Sequence, residues 1–244
     1  MNKEISLQLS NVSKTFRTSN KSFSTLRDRL INFYKKNEVK TITALKEVNL
    51  EIYEGESIGI IGRNGSGKST LTKIMSGTFI PDKGGKVIKN GTSLLLNLGV
   101  GFSHELTARE NIYVNGSTLG LRISEIDALF SEILEFSELE EFKDTKIKYF
   151  SSGMIQRLSF SIAIFARADI IFLDEVFAVG DEKFRKKATA SLKQNWLKNR
   201  TSIIVSHSTG IIKEYCDRAI LLHKGEVIYF GDTDEAISKY HELE

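Results

Sequence analysis

Cysteine is almost missing from this 244-residue chain: Cys216 is the only one. It has no partner for an internal disulfide, and a reducing cytosolic compartment fits that usage. Cys216 itself reads as a small buried apolar residue. Long hydrophobic runs are missing too; none approaches the ~18 residues that a membrane-crossing helix needs. The opening Met1-Asn2-Lys3-Glu4-Ile5-Ser6-Leu7 holds no apolar core of a secretory leader. The chain is therefore expected to be soluble on its own, with any membrane association supplied by a surface or a partner. No excess of one charge sign is present either. Lys and Arg number 34 against 31 Asp and Glu, a formal net charge of +3. That balance argues against bulk nucleic-acid binding, which rests on a strong basic excess, and leaves room only for a local basic patch. Repeats and low-complexity tracts are absent, and the one proline, Pro81, sits in the turn Pro81-Asp82-Lys83-Gly84-Gly85.

What is present begins with Gly62-Arg63-Asn64-Gly65-Ser66-Gly67-Lys68-Ser69-Thr70. This stretch fits the phosphate-binding pattern G-x-x-x-x-G-K-[ST] at every fixed position. The apolar run Ile58–Ile61 precedes it and the helix-compatible Leu71–Met75 follows, which is the strand–loop–helix context the motif requires. A random chain of this length would show the pattern roughly 1% of the time, before the flanking signals are counted. Glycines let backbone N–H groups turn inward and approach phosphate oxygens, and the helix N-terminus adds its positive dipole end. Lys68 supplies a full charge between the β- and γ-phosphates, and the Ser69 hydroxyl is suited to ligate Mg²⁺.

The 41% hydrophobic content is enough for a large core, and the length suits one α/β domain carrying an inserted subdomain. Residues 4–12 alternate as a half-buried strand with Phe16 at its end. Phe16 reads either as a platform for a purine or as ordinary core packing. Arg17–Ser22 reads as loop. Leu26, Leu30, Phe33 and Tyr34 then recur at helical spacing among Arg27, Arg29, Lys35 and Lys36, a short basic amphipathic helix. It suits anionic lipid headgroups or a membrane partner, and equally a surface helix packed on the domain. Strands are expected at 44–52, 57–61, 86–88 and 93–98, with a turn at Glu54-Gly55-Glu56. Residues 107–145 read as helical. Thr107 with Glu110 makes a capping box, and Ile126, Leu129, Phe130, Ile133, Leu134 and Phe136 form a stripe of period 3.6.

Three later stretches bear on chemistry. Ser151-Ser152-Gly153-Met154 opens a helix, as a plain N-cap or as a second anion site. The buried run Ile170–Leu173 ends in Asp174-Glu175; one carboxylate there can serve Mg²⁺ and its neighbour can orient or deprotonate a water. The run Thr201–Val205 ends at Ser206-His207, and a histidine at the C-terminal end of a parallel strand faces the ligand crevice. His104, His223 and His241 lack that setting. A hairpin across 223–225 and a helix over 233–243 close the chain.

Taken in order, Phe16, the phosphate loop, Ser151–Gly153, Asp174-Glu175 and His207 resemble the ATP-binding subunit of ABC transporters, over nearly the whole chain. The resemblance implies an α/β fold: a RecA-like P-loop ATPase core with an N-terminal antiparallel β subdomain and an inserted α-helical subdomain. It implies a single ABC ATPase domain over 1–244, with a basic insertion at 17–42 and a helical subdomain at 100–157. It implies a homodimer sandwiching two ATP, each between the loop Gly62–Thr70 of one copy and Ser151–Met154 of the other. Phe16 would then stack on adenine, and Ser69 and Asp174 would serve Mg²⁺. Glu175 would be the base, His207 would sense the γ-phosphate alongside Lys68, and Asp181 would lie on the loop crossing to the partner copy.

The segments Tyr149–Met154, Asp174–Asp181 and Leu106–Ile112 narrow the resemblance to exporters of bacterial surface polysaccharides: O-antigen, capsule and teichoic acid. There a separate transmembrane permease moves lipid-linked glycan across the inner membrane, and the ATPase sits peripherally on its cytoplasmic face. Membrane contact would run through that partner and the 17–42 helix; no nucleic acid is implied. The general ABC pattern has a glutamine where Asn97 or Leu98 stands here, and a glycine in place of Ser152. Some O-antigen members carry a C-terminal carbohydrate-binding domain; a chain ending at Glu244 is expected to lack it or to be cut short of it. Rival readings are another exported substrate such as a lipid or peptide, a soluble ABC-type ATPase of DNA repair or translation, and a nucleotide-gated module without turnover.

Overall fold

Strands with two apolar faces set the architecture. In the run 170–173, Ile170 and Phe172 pack into one hydrophobic cluster while Ile171 and Leu173 pack into another, and all four are buried. A strand buried on both sides belongs inside a covered parallel sheet.

The computed structural model describes residues 4–19, 39–96, 101–174, 180–197 and 200–243. The first half of the chain forms β1 (Ile5–Ser19), β2 (Val39–Tyr53), β3 (Ser57–Ile61), α1 (Lys68–Ser76), β4 (Lys86–Lys89) and β5 (Ser93–Leu96). Three helices follow, α2 (Ala108–Thr118), α3 (Ile123–Ser137) and α4 (Ser152–Ala163). The remainder forms β6 (Ile170–Asp174), α5 (Glu182–Leu192), β7 (Thr201–Val205), α6 (Thr209–Tyr215), β8 (Arg218–His223), β9 (Glu226–Asp232) and α7 (Thr233–Glu242).

Six strands make one sheet in the order β5-β6-β7-β3-β8-β9, parallel except for β9. Three strands make a second, antiparallel sheet in the order β2-β1-β4. Leu7, Leu9, Leu50 and Ile52 of the small sheet pack with α1 against Ile58, Ile60, Phe172 and Leu222 of the large one. The opposite face of the large sheet is covered by α4, α5, α6 and α7 through residues such as Phe160, Phe184, Ile212 and Ala236. This is the α/β core with an antiparallel layer that the resemblance implies. Cys216 is buried, and burial pushes its thiol pKa far up, as befits an inert apolar residue.

α2, α3 and α4 share a third cluster around Ala108, Ile112, Ile126, Ile133 and Leu158. Thr107 starts α2 with a capping box: the Thr107 hydroxyl accepts from the Glu110 N–H at 3.2 Å, and Glu110 accepts from the Thr107 N–H at 2.7 Å. Of the expected α3 stripe, Ile126, Ile133 and Leu134 are buried, but Leu129, Phe130 and Phe136 are only partly so. Phe136 belongs elsewhere. It leaves the helical cluster to meet Phe160 of α4 and Phe184 of α5, ring centroids 6.1 and 5.8 Å away.

Two sequence expectations need correction. Phe16 does not end the first strand, and Arg17–Ser19 are not loop. β1 runs through them, paired with Val39–Thr41 of β2. Polar strand residues look like loop until a partner strand takes their N–H and C=O groups. Of the 17–42 insertion, residues 39–42 belong to β2, and residues 20–38, the basic helix among them, lie outside the described residues, as do Asn97 and Leu98.

Replacing Thr107 with alanine removes a cap that holds the start of α2. The loss should cost about 1 kcal/mol, read as a lower urea midpoint with an unchanged m-value.

Candidate active site

Parallel strands of this sheet end side by side, and side chains just beyond those ends collect in one crevice. β3 runs directly into Gly62–Gly67, and α1 begins at Lys68. The loop is shaped by what lies beneath it. Gly62 has φ 150°, and a Cβ there would stand 2.2 Å from the Leu222 carbonyl oxygen. Gly67 has φ 111°, and its Cβ would stand 2.5 Å from the Ala44 carbonyl oxygen. Neither position admits a side chain. The Gly225 N–H donates to the Ser66 carbonyl at 2.9 Å, tying the β8–β9 turn to the loop.

Lys68 is buried and its ammonium donates to the Gly62 and Arg63 carbonyls at 2.6 and 3.1 Å. A lysine curled into its own loop holds its charge at the loop's centre. No side chain caps α1, so its leading N–H groups face the crevice uncovered by a side-chain acceptor. The Ser66 hydroxyl is the one buried side-chain polar atom without a hydrogen-bond partner among the described residues. It lies behind the loop, 2.7 Å from where a Gly62 Cβ would be, so it serves no visible contact.

A cleft of about 280 Å³ opens over this loop. It is lined by Asn64, Gly65, Gly67, Lys68, Ser69 and Thr70, and by Asp174 at the end of β6 and His207 just after β7. The structure therefore brings together the loop with Asp174 and His207, both of which lie more than 100 residues beyond it in sequence. Ile42, Thr43, Ala44 and Val205 complete the lining. These four have no motif of their own; Val205 could have been found by its place at a strand end, and the β2 residues by their position two strands before the loop. Phe16 does not line the cleft. It is half-buried, edge-on to Phe79 at 5.7 Å, with Lys14 over its ring at 5.8 Å. Its cross-strand partner is Ile42.

A larger cleft, about 750 Å³, lies at the opposite end of the strands, around Asn90, Thr92, Arg167, Asp169 and Arg200. Several of its charges are already engaged. Asp169 accepts from the Thr92 N–H and hydroxyl at 2.7 and 2.8 Å, and Arg167 pairs with Glu125 at 3.0 Å. The smaller cleft, with its loop and uncapped helix end, is the chemical one.

The other sequence candidates stay outside that cleft within one chain. Ser151 caps α4, its hydroxyl accepting from the Met154 N–H at 3.2 Å, and Ser151 and Ser152 are exposed. Gly153 and Met154 follow in the first turn. Asp181 caps α5 by accepting from the Phe184 N–H at 2.8 Å. Glu175 lies outside the described residues.

The donor set suits Mg²⁺. Ser69 and Asp174 offer hard oxygens to one cleft, and Mg²⁺ is held by one or two carboxylates completed by substrate phosphates and water. Among the described residues no cluster of three His, Cys, Asp or Glu could hold a metal unaided.

Comparison with known proteins agrees with this geometry. The ABC transporter family model matches residues 45–178, more than half of the chain. The ABC transporter protein AbcA of Aeromonas salmonicida is 43% identical over 209 residues, covering 85% of this chain and 68% of that protein. The O-antigen export system ATP-binding protein RfbB of Myxococcus xanthus is 39% identical, covering 96% of this chain and 55% of its own. The teichoic acids export ATP-binding protein TagH of Listeria innocua is 37% identical, covering 100% and 72%. A dimeric ATP-binding cassette solved with ADP and Pi superposes with a TM-score of 0.70 at 26% identity, over 93% of this chain and 98% of that one. The chain belongs to the ABC transporter family and carries its ATP-hydrolysing cassette.

Proposed function

We propose that this chain is the ATPase subunit that powers export of a lipid-linked surface polysaccharide, of the O-antigen, teichoic acid or capsule kind, through a separate transmembrane permease. The observation that carries the ATPase half is the gathering of Lys68, Ser69, Asp174 and His207 over one cleft. Kinship with the O-antigen and teichoic acid export proteins carries the substrate half. Among the described residues no helix is long and apolar enough to cross a membrane. In this reading the path for the glycan belongs to the permease. The chain then works peripherally, on the cytoplasmic face of the inner membrane.

In this reading the loop N–H groups and the α1 N-terminus hold the β- and γ-phosphates, and Lys68 turns from the loop carbonyls toward them. Mg²⁺, held by Ser69 and Asp174, would neutralise charge that builds on the phosphate oxygens. Glu175 takes a proton from a water, whose oxygen attacks the γ-phosphorus. The bond from phosphorus to the β–γ bridging oxygen breaks, leaving ADP and phosphate. His207 orients that water or the γ-phosphate. Ser151–Met154, at the head of α4 with Ser151 and Ser152 exposed, complete the site of a second copy, so two ATP are clamped between two chains. Asp181 lies beside that crossing. Hydrolysis removes the bonds that reach across, and the pair reopens.

Lys68→Ala should abolish ATP hydrolysis measured as phosphate release; retained turnover would remove the loop from the chemistry. Glu175→Gln should keep ATP affinity, lose at least about 10²-fold in kcat, and accumulate as a dimer with ATP in light scattering. Normal turnover by that variant would displace Glu175 as the base. With the permease reconstituted alongside, lipid-linked glycan should stimulate ATPase activity; a lipid or peptide doing so instead would overturn the substrate.

A further inference from the structure

α3 closes with a glutamate where its backbone favours glycine. Glu138 has φ 57° and ψ 44°, in the left-handed region, and the next N–H, of Leu139, donates to the Leu134 carbonyl at 3.1 Å. Glycine is the favoured residue at such a helix end, because a Cβ there crowds the carbonyl that follows. A carboxylate is also opposed by the negative end of the α3 dipole. What the side chain does is join elements. One Glu138 carboxylate oxygen pairs with Arg157 of α4 at 3.4 Å, and the other pairs with Lys183 of α5 at 3.4 Å. Both pairs are open to solvent, the Lys183 one largely so, and ion pairs of that exposure add little to stability. Glu138 is therefore poorly explained by stability and well placed as a link. α4 also holds the residue just before Asp181. The Gly180 N–H donates to the Gln156 side chain at 3.3 Å, and a Cβ at Gly180 would meet the Arg157 Cγ at 3.4 Å. Ser151 caps α4 and Asp181 caps α5, so the link lies between the two helices that these caps begin.

We propose that Glu138 is a positioning residue for the ATPase reaction. It fixes the start of α5, with Asp181, against α4, whose head carries Ser151–Gly153, so that both segments meet a second copy at one set spacing. This rests on the reading of the chain as an ATPase that closes as a pair. Glu138 does not line the nucleotide cleft. It therefore acts on closure of the pair and on the turnover that follows, and not on what one chain holds alone. A set spacing matters because two chains must meet at several points at once, and any freedom in those segments is lost on closing.

The test replaces Glu138 with glycine, which relieves the backbone and removes the link. Glu138→Gly should melt no lower than the wild type, and ADP titrated calorimetrically with Mg²⁺ should bind the single chain with unchanged affinity. Its kcat at saturating ATP should fall about tenfold. In the Glu175→Gln background, the same change should raise the protein concentration needed for the ATP-bound dimer in light scattering about tenfold, or about 1.4 kcal/mol. Glu138→Gln, which keeps an acceptor for Arg157, should recover part of both losses. Wild-type turnover and pairing in Glu138→Gly would overturn the proposal, as would a glutamine variant no better than the glycine one. A lower melting temperature or weaker ADP binding would overturn it too, by marking general damage to the fold or the cleft. If the wild type does not hydrolyse ATP and the Glu175→Gln chain does not pair with it, the reading of a paired ATPase fails instead, and the role of Glu138 with it.

Discussion

Two carbonyl oxygens decide the shape of the phosphate loop. Those of Leu222 and Ala44 approach Gly62 and Gly67 so closely that a Cβ could not fit at either position. One comes from the parallel sheet and the other from the antiparallel sheet, so the loop is seated where the two sheets meet. Its glycines are thus fixed from below by packing as well as from above by the need to admit phosphate. The buried Lys68, donating to Gly62 and Arg63, completes a loop that is formed in the chain itself.

The helix that opens with Ser151-Ser152-Gly153 is packed on two sides. Leu158 and Ile162 of α4 face the helical cluster, while Phe160 and Ala163 face the parallel sheet. Phe136, Phe160 and Phe184 then lock α3, α4 and α5 together through ring contacts of 5.8 to 6.1 Å. The Gly180 N–H donates to the Gln156 side chain at 3.3 Å, joining α4 to the residues that follow β6. α4 thus packs at once on the helices around it and on the sheet whose strand ends carry Asp174 and His207.

Much of this was legible because local chemistry and global position agree. Gly62–Thr70 announces both a loop and its neighbours, since the same residues that bind phosphate also need a strand before and a helix after. Runs such as Ile170–Leu173 and Thr201–Val205 are apolar throughout, and only a strand covered on both faces uses such a run. The Thr107–Glu110 box formed as its spacing implies. Legibility fails where residues are polar and carry no period. Arg17–Ser19 look like loop, and only pairing with Val39–Thr41 makes them strand. Phe136 fits the helical stripe by spacing but turns to a different cluster, because the helix reaches α5 at that point.

By itself the sequence determined the presence of a phosphate-binding loop, the order of strands and helices around it, and which carboxylate and histidine end the neighbouring strands. Those follow from short-range rules: backbone freedom at glycine, apolar periodicity, capping. Only the tertiary structure decided which distant residues share the cleft. Strand order β6-β7-β3 sets Asp174 and His207 beside Lys68, and the β1–β2 ribbon brings Ile42 to its wall while holding Phe16 back against Phe79. No local pattern contains that information, because a side chain's neighbours across a sheet are set by pairing and register, which join residues far apart in the chain.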